Sequence, residues 1–243
     1  MKTPNPLAPN QLALDLLAGA SPSLDNFVAG PNRECLAAVR ALAAGDDGSP
    51  GGTGESVRQI YLWGQPGGGK THLARAVRAG APDGGAPLGP EAPVRAFDRA
   101  GRQPGVFVVD DCDRLDAKRQ HALFALINRV RATPGARLLA TGSAPPLGLS
   151  LREDLRTRLG WGLVFELAPL ADADKALALQ ALAGERGVMM SAEVVPYLLT
   201  HTSRDMRQLI GLFDALDRLA LQRQKAITVP LVRELLQTSL NIE

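Results

Sequence analysis

The chain has 243 residues, of which 45% are hydrophobic and 21% charged; this accommodates an α/β domain with a smaller appendage and excludes a mostly disordered chain or a coiled coil. Its 27 basic and 25 acidic side chains balance to +2 and aromatics make up only 4%, so it encodes neither a strong attractor of phosphate backbones nor an aromatic platform for single strands. Cys35 and Cys112 form no CxxC pattern, which disfavours a disulfide framework or zinc site, and with neither a secretory layout nor an apolar run of ~18 residues the expectation is a cytoplasmic protein with no membrane association.

Residues 1–23 read as a flexible tail with one apolar cluster, QLALDL at 11–16. Apolar positions Cys35, Leu36, Val39 and Leu42 recur at helical spacing and predict a helix over 33–44. A Gly/Ser/Asp linker at 45–56 precedes a β-prone run at 59–63, a Gly-rich turn and a helix opening around His72–Arg78. The Gly/Pro-rich stretch 79–93 interrupts the pattern, and VFVVD within 105–110 reads as a buried parallel strand ending in acid. Helical spacing returns at 122–130, followed by strands at 137–141 and 163–167. Strands alternating with helices predict a parallel sheet with right-handed crossovers.

Beyond Pro169 every segment is helical in pattern. A helix over 172–186 ends at the cap candidate Gly187, another covers 192–199, Ser203 caps a long helix with core face Met206, Leu209, Ile210, Phe213 and Leu216, and Thr228 with Pro230 opens the last. The expected organisation is a tail to 23, an α/β P-loop nucleotide-binding domain over 24–168 and a small all-helical lid over 169–243.

Gly64-Gln65-Pro66-Gly67-Gly68-Gly69-Lys70-Thr71 matches GxxxxGK[ST] in full between a predicted strand and a predicted helix, which is the context a phosphate-binding loop requires. Gly64, Gly67, Gly68 and Gly69 let backbone N–H groups converge on phosphates, Lys70 neutralises β and γ oxygens, and the Thr71 hydroxyl is a ligand for Mg²⁺. The apolar strand before Asp110 and Asp111 supplies the acidic partner: Asp110 to hold Mg²⁺ and Asp111 to orient a water. Aspartate reaches less far than glutamate, so slow hydrolysis is expected. His72, His121 and His201 are scattered singly and read as packing or surface residues.

The order of P-loop, acidic strand, polar strand end, arginine-bearing segment and helical lid resembles the AAA+ class and, within it, the DnaA/Hda replication family. LDNFVAGPNRE at 24–34, GQPGGGKTHLARAV, VVDDCDRL, LRTRLGWGLVFEL and RDMRQLIG fall in that family's order from Leu24 onward. The resemblance implies a γ-phosphate sensor at Ser143, whose TGSAPP context departs from the more acidic form of the initiators. It implies an arginine finger acting on a neighbour's nucleotide at Arg158, in a helix also holding Arg152 and Arg156, and a second sensor at Arg207. Gln11, Leu12, Leu14 and Leu16 resemble the QLxLxL peptide by which replication proteins dock on the DNA polymerase III β sliding clamp, an extended segment presenting leucines to an apolar pocket.

The chain stops soon after the last lid helix without the basic helix-turn-helix domain of the initiators, so direct origin recognition is not expected and DNA is reached only through the clamp. The resemblance thus implies a negative regulator of replication initiation that binds ADP or ATP with Mg²⁺ and the clamp, and stimulates hydrolysis of DnaA-bound ATP. Self-association stays open. The alternatives are a self-sufficient AAA+ ATPase that loads a helicase, favoured by rapid turnover without DnaA or clamp, and a DnaA-like adaptor at the origin.

Overall fold

The computed structural model describes residues 21–45, 57–82, 84–202 and 205–240; the side chains at 207 and 238–240 lie outside the described set. The chain divides into two compact units, one spanning Ser21–Pro169 and the other containing the segment from Leu170.

In the first unit, helix α1 (Arg33–Ala44) precedes β1 (Gln59–Trp63), α2 (Lys70–Ala79), α3 (Val94–Arg99), β2 (Gly105–Val109), α4 (Ala117–Ala132), β3 (Ala136–Gly142), α5 (Glu153–Leu159) and β4 (Leu163–Glu166). The four strands are parallel in the order β2-β3-β1-β4, and Leu88 adds a single parallel bridge to Val109.

Alternation along the strands explains the two cores. Ile60, Leu62, Val106, Val108 and Leu139 point to one face, where they pack with Val39, Leu42, Leu73 and Val77 of α1 and α2. Tyr61, Val109, Leu138 and Ala140 point to the other and meet Phe97, Leu123, Leu126, Ile127 and Leu155 of α3, α4 and α5. Successive strand residues face opposite sides, and a sheet covered on both sides needs apolar residues at every position. This is why β1 and β2 read as continuous apolar runs.

Three elements differ from the sequence expectation. Helix α3 lies just past the Gly/Pro-rich stretch; the Arg129 guanidinium supports its C-terminal end, donating to the carbonyls of Phe97 at 2.5 Å and Ala100 at 2.9 Å. Helix α4 begins at Ala117, earlier than its apolar periodicity, because the Asp116 carboxylate accepts the Arg119 N–H at 2.8 Å as an N-cap. Arg152 is the N-cap position of α5, outside the helix that holds Arg156 and Arg158.

The second unit is helical: α6 (Asp172–Glu185), α7 (Val194–His201), α8 (Met206–Arg223) and α9 (Val229–Leu240). Leu179, Val194, Val195, Leu198, Leu209, Phe213, Leu216 and Val232 form its core. Arg186 donates to Asp214 at 2.7 Å beside that core. Among the described residues no helix is long and apolar enough to cross a membrane.

Candidate functional site

The register of the sheet assembles the site. Trp63 pairs with Gly142 and Val109 with Ala140, so the Gly64–Thr71 loop, the Asp110-Asp111 pair and the Thr141–Ser143 segment leave the sheet together at its carboxyl edge. Ligands of open parallel sheets bind outside that edge.

The loop's backbone is dictated by its neighbours. Gly64 has φ of 144°, and a Cβ there would lie 2.5 Å from the Leu167 carbonyl oxygen. Leu167 runs this close because its N–H donates to the Trp63 carbonyl at 2.7 Å. Gly69 has φ of 93°, with the Phe27 ring 2.7 Å from where a Cβ would stand. Phe27 also packs on His72, ring centroids 5.6 Å apart, and the His72 Nε2 lies 3.0 Å from the Ser23 carbonyl. The chain before α1 therefore closes over the start of α2.

Lys70 opens α2, and its ammonium turns back into the loop, donating to the carbonyls of Gly64 at 2.7 Å and Gln65 at 3.0 Å. Burial draws the Lys70 pKa below its ordinary value, while Asp111, Asp113 and Asp110 oppose that shift in that order. Thr71 is the next, half-buried residue of the same helix. One cation thus stands in the loop before a helix N-terminus with three carboxylates nearby, an arrangement suited to a polyphosphate and its counter-ion.

On the acidic side, the Thr141 hydroxyl donates to Asp110 Oδ1 at 2.5 Å and accepts the Asp111 N–H at 3.0 Å. Asp111 has φ of 51°, and its carboxylate pairs with Arg114 at 3.4 Å. The Ser143 hydroxyl is exposed and donates to Asp113 Oδ2 at 2.6 Å. The buried Tyr61 hydroxyl donates to the Ala144 carbonyl at 2.7 Å, which anchors the segment after Ser143. Thr141 and Asp113 join the site beyond the residues the motifs single out; the third acid of VVDDCDRL is a usable sign of Asp113, whereas Thr141 becomes visible only with the register.

Arg158 lies elsewhere on the unit. Its guanidinium donates to Asn128 Oδ1 and stands 4.1 Å from the centre of the Phe124 ring and 4.7 Å from that of Trp161. Arg131 approaches Trp161 from its own position at 4.6 Å. Gln59, at the start of β1, donates to the carbonyls of Arg158 and Leu159 at 2.7 and 3.2 Å, fixing the end of α5 to the sheet. Arg152, Thr157, Arg158 and Trp161 line an open groove there. Phe124 and Asn128, one turn apart on α4, were not anticipated from the sequence.

Arg207 lies in the first turn of α8, and its side chain is outside the described residues, as are Ser203 and the Gln11, Leu12, Leu14 and Leu16 peptide.

Residues 172–236 match the family described as the Hda lid domain. The chain is similar in fold to domain III of the Thermotoga maritima replication initiation protein DnaA, at 18% identity over 96% of this chain and 98% of that one, TM-score 0.64. It is similar to AMPPCP-bound DnaA from Aquifex aeolicus, at 19% identity over 84% of this chain and 70% of that one, TM-score 0.61. It also resembles the Thermotoga maritima RuvB Holliday junction branch migration motor, at 18% identity over 92% of this chain and 73% of that one, TM-score 0.63. The four-stranded parallel sheet and its helices thus form a fold similar to that of the DnaA nucleotide domain, and residues 172–236 match the Hda lid domain.

Proposed function

We propose that this chain is a negative regulator of replication initiation that holds an adenine nucleotide, docks on the β sliding clamp through Gln11–Leu16, and uses Arg158 to accelerate hydrolysis of ATP bound to DnaA. The observation that carries the reading is the lid: residues 172–236 match the Hda lid family on a chain that also bears Gly64–Thr71 and Arg158. ADP and ATP both suit the loop, and the Aquifex aeolicus relative binds the ATP analogue AMPPCP.

Oxygen donors fit Mg²⁺ at this site. The Thr71 hydroxyl and the Asp110 carboxylate are hard ligands, and among the described residues no three His, Cys, Asp or Glu side chains form a metal cage. Magnesium held by one or two carboxylates plus substrate phosphates matches that donor set. When bound, the ion would neutralise β- and γ-phosphate charge. Lys70 would hold the phosphates, Asp111 would orient water, and Ser143 and Arg207 would contact the γ-phosphate end. The region 24–168 then acts as the nucleotide domain and 169–243 as its lid.

The test is single-turnover hydrolysis of ATP pre-bound to DnaA, with clamp loaded on DNA, in the presence and absence of this protein. Acceleration that requires the clamp supports the reading. Rapid turnover of free ATP by this protein alone, with no effect on DnaA, would turn the case toward a self-sufficient ATPase.

A further inference from the structure

Thr141 is fully buried at the end of β3, in a core otherwise built of Leu138, Leu139 and Ala140 along the same strand. A hydroxyl taken out of water requires partners, and this one has two. It donates to Asp110 Oδ1 at 2.5 Å and accepts the Asp111 N–H at 3.0 Å. A hydroxyl carries one donor and two acceptor lone pairs, so a single oxygen joins two consecutive residues of the acidic pair by opposite roles.

The sheet makes this meeting obligatory. Val109 is opposite Ala140 in the parallel register, so the next residue of each strand, Asp110 and Thr141, comes level at the carboxyl edge. The chain then turns sharply: Asp111 adopts φ and ψ of 51°, a left-handed conformation that among non-glycine residues Asn and Asp enter most readily. The bond from its N–H to Thr141 lies at the point of that turn.

We infer that Thr141 is a positioning residue for the acidic side of the phosphate site, fixing Asp110 through Oδ1 and Asp111 through its backbone, so that Asp110 Oδ2 is the oxygen left to meet a divalent cation. The inference rests on the reading of Gly64–Thr71 as a nucleotide site. It assigns to a fully buried residue a share of the magnesium dependence of nucleotide binding. A hydroxyl held to a charged acceptor is worth more than one held to a neutral group, and a carboxylate released from it would sample orientations unproductive for a cation.

The experiment measures ADP and ATP affinity by calorimetry in Mg²⁺ and in EDTA for wild type, Thr141→Val and Thr141→Ser. Valine preserves shape and removes both bonds; serine keeps both. Wild type is expected to bind more tightly with Mg²⁺, Thr141→Val to lose about tenfold of that gain while its EDTA affinity stays within about twofold, and Thr141→Ser to recover it. If Thr141→Val does not fold, Thr141→Cys, with a weak donor of similar volume, takes its place with the same expected split.

A double variant with Asp110→Asn should lose no further Mg²⁺ dependence than Asp110→Asn alone, since the residues act as one unit. Equal weakening in Mg²⁺ and EDTA, or an unchanged Mg²⁺ gain, would overturn the positioning role while leaving the nucleotide site standing. Failure of wild type to bind nucleotide in either buffer would overturn the site itself, and the inference with it.

Discussion

The Asn32 carboxamide closes two hydrogen bonds on one residue, donating to the Ala168 carbonyl at 3.0 Å and accepting the Ala168 N–H at 2.9 Å. Asn32 occupies the N-cap position of α1 yet makes no capping bond; its side chain instead ties α1 to the segment following β4. That segment includes Leu167, whose carbonyl crowds Gly64, so the same clamp supports the wall of the phosphate loop. Asn32→Ala is expected to destabilise by about 2 kcal/mol, two hydrogen bonds of ordinary net worth. Urea unfolding checks this through a lower midpoint with an unchanged slope; an unaltered midpoint would show that water replaces the carboxamide without loss.

Lys70→Ala removes the ammonium that faces the Gly64 and Gln65 carbonyls. Nucleotide affinity is expected to fall below detection by calorimetry while the fold persists, because Gln65–Gly67 is exposed and carries no core packing. Ligand that binds the native state alone stabilises it, by about 2.7 kcal/mol at a hundredfold excess over Kd. Wild type should therefore melt at higher temperature with ADP and the variant should not; an equal rise in both would remove Lys70 from the phosphate site.

Burial in the core pushes the Cys35 thiol from 9.0 up to about 12, and burial is also the largest cause raising Tyr61 and Cys112. On unfolding these groups ionise near their ordinary values, so above about pH 9 the unfolded chain binds fewer protons and stability declines with rising pH. The Cys35 contribution is complete below its unfolded value and is lost as pH rises toward about 12. Comparing urea stability at about pH 8 and about pH 10.5 under reductant, Cys35→Ala should lose about 2 kcal/mol less than wild type. Identical losses would mean that Cys35 ionises in the folded protein.

Legibility in the sequence followed the range of the interaction. Helix α1 and strand β1 have the limits their periodicity indicates, because both depend on which residues face a core. Helix α3 escaped because six residues at the edge of a Gly/Pro-rich stretch show no period, and its support comes from Arg129, thirty residues away. The loop glycines and acids are contiguous motifs and can be read directly. Thr141, Asn32 and the Arg158 platform depend on strand register and on contacts between distant segments, as with Asn32 and Ala168; a single sequence carries no sign of which residues will come level.

Replacing Gln11, Leu14 and Leu16 together by alanine is expected to abolish clamp binding and leave ADP affinity unchanged. In the proposed docking the apolar side chains would supply pocket contacts and the glutamine amide directional hydrogen bonds, whereas the phosphate loop lies more than forty residues further along the chain. Surface plasmon resonance on immobilised clamp measures the first and calorimetry the second. Clamp binding as tight as wild type would move the docking peptide elsewhere.

Arg158→Ala separates the proposed finger role from every other property of the chain. The guanidinium is held by Asn128 and by the Phe124 and Trp161 rings, contacts at a partly exposed site worth roughly 0.5–1 kcal/mol per cation–π pair. The variant should therefore remain folded, and the phosphate loop and clamp peptide should keep their affinities. For Arg158 to act on a partner, the side chain must exchange Asn128 and the rings for the partner's phosphates, an exchange favoured because phosphate offers a charged, bidentate acceptor. Fingers of this kind contribute roughly 10³ to 10⁵ in rate. Arg158→Ala is thus expected to lose most stimulation of DnaA-bound ATP hydrolysis, and Arg158→Lys to recover little, since an ammonium lacks the planar fork. Trp161 emission, read in a Trp63→Phe background because the chain holds two tryptophans, gives an independent reading: if Arg158 leaves its ring on engagement, addition of ATP-bound DnaA should change the emission of the Arg158 form and not of Arg158→Ala. Equal hydrolysis rates with wild type and Arg158→Ala would reject Arg158 as the finger, whatever the fluorescence shows.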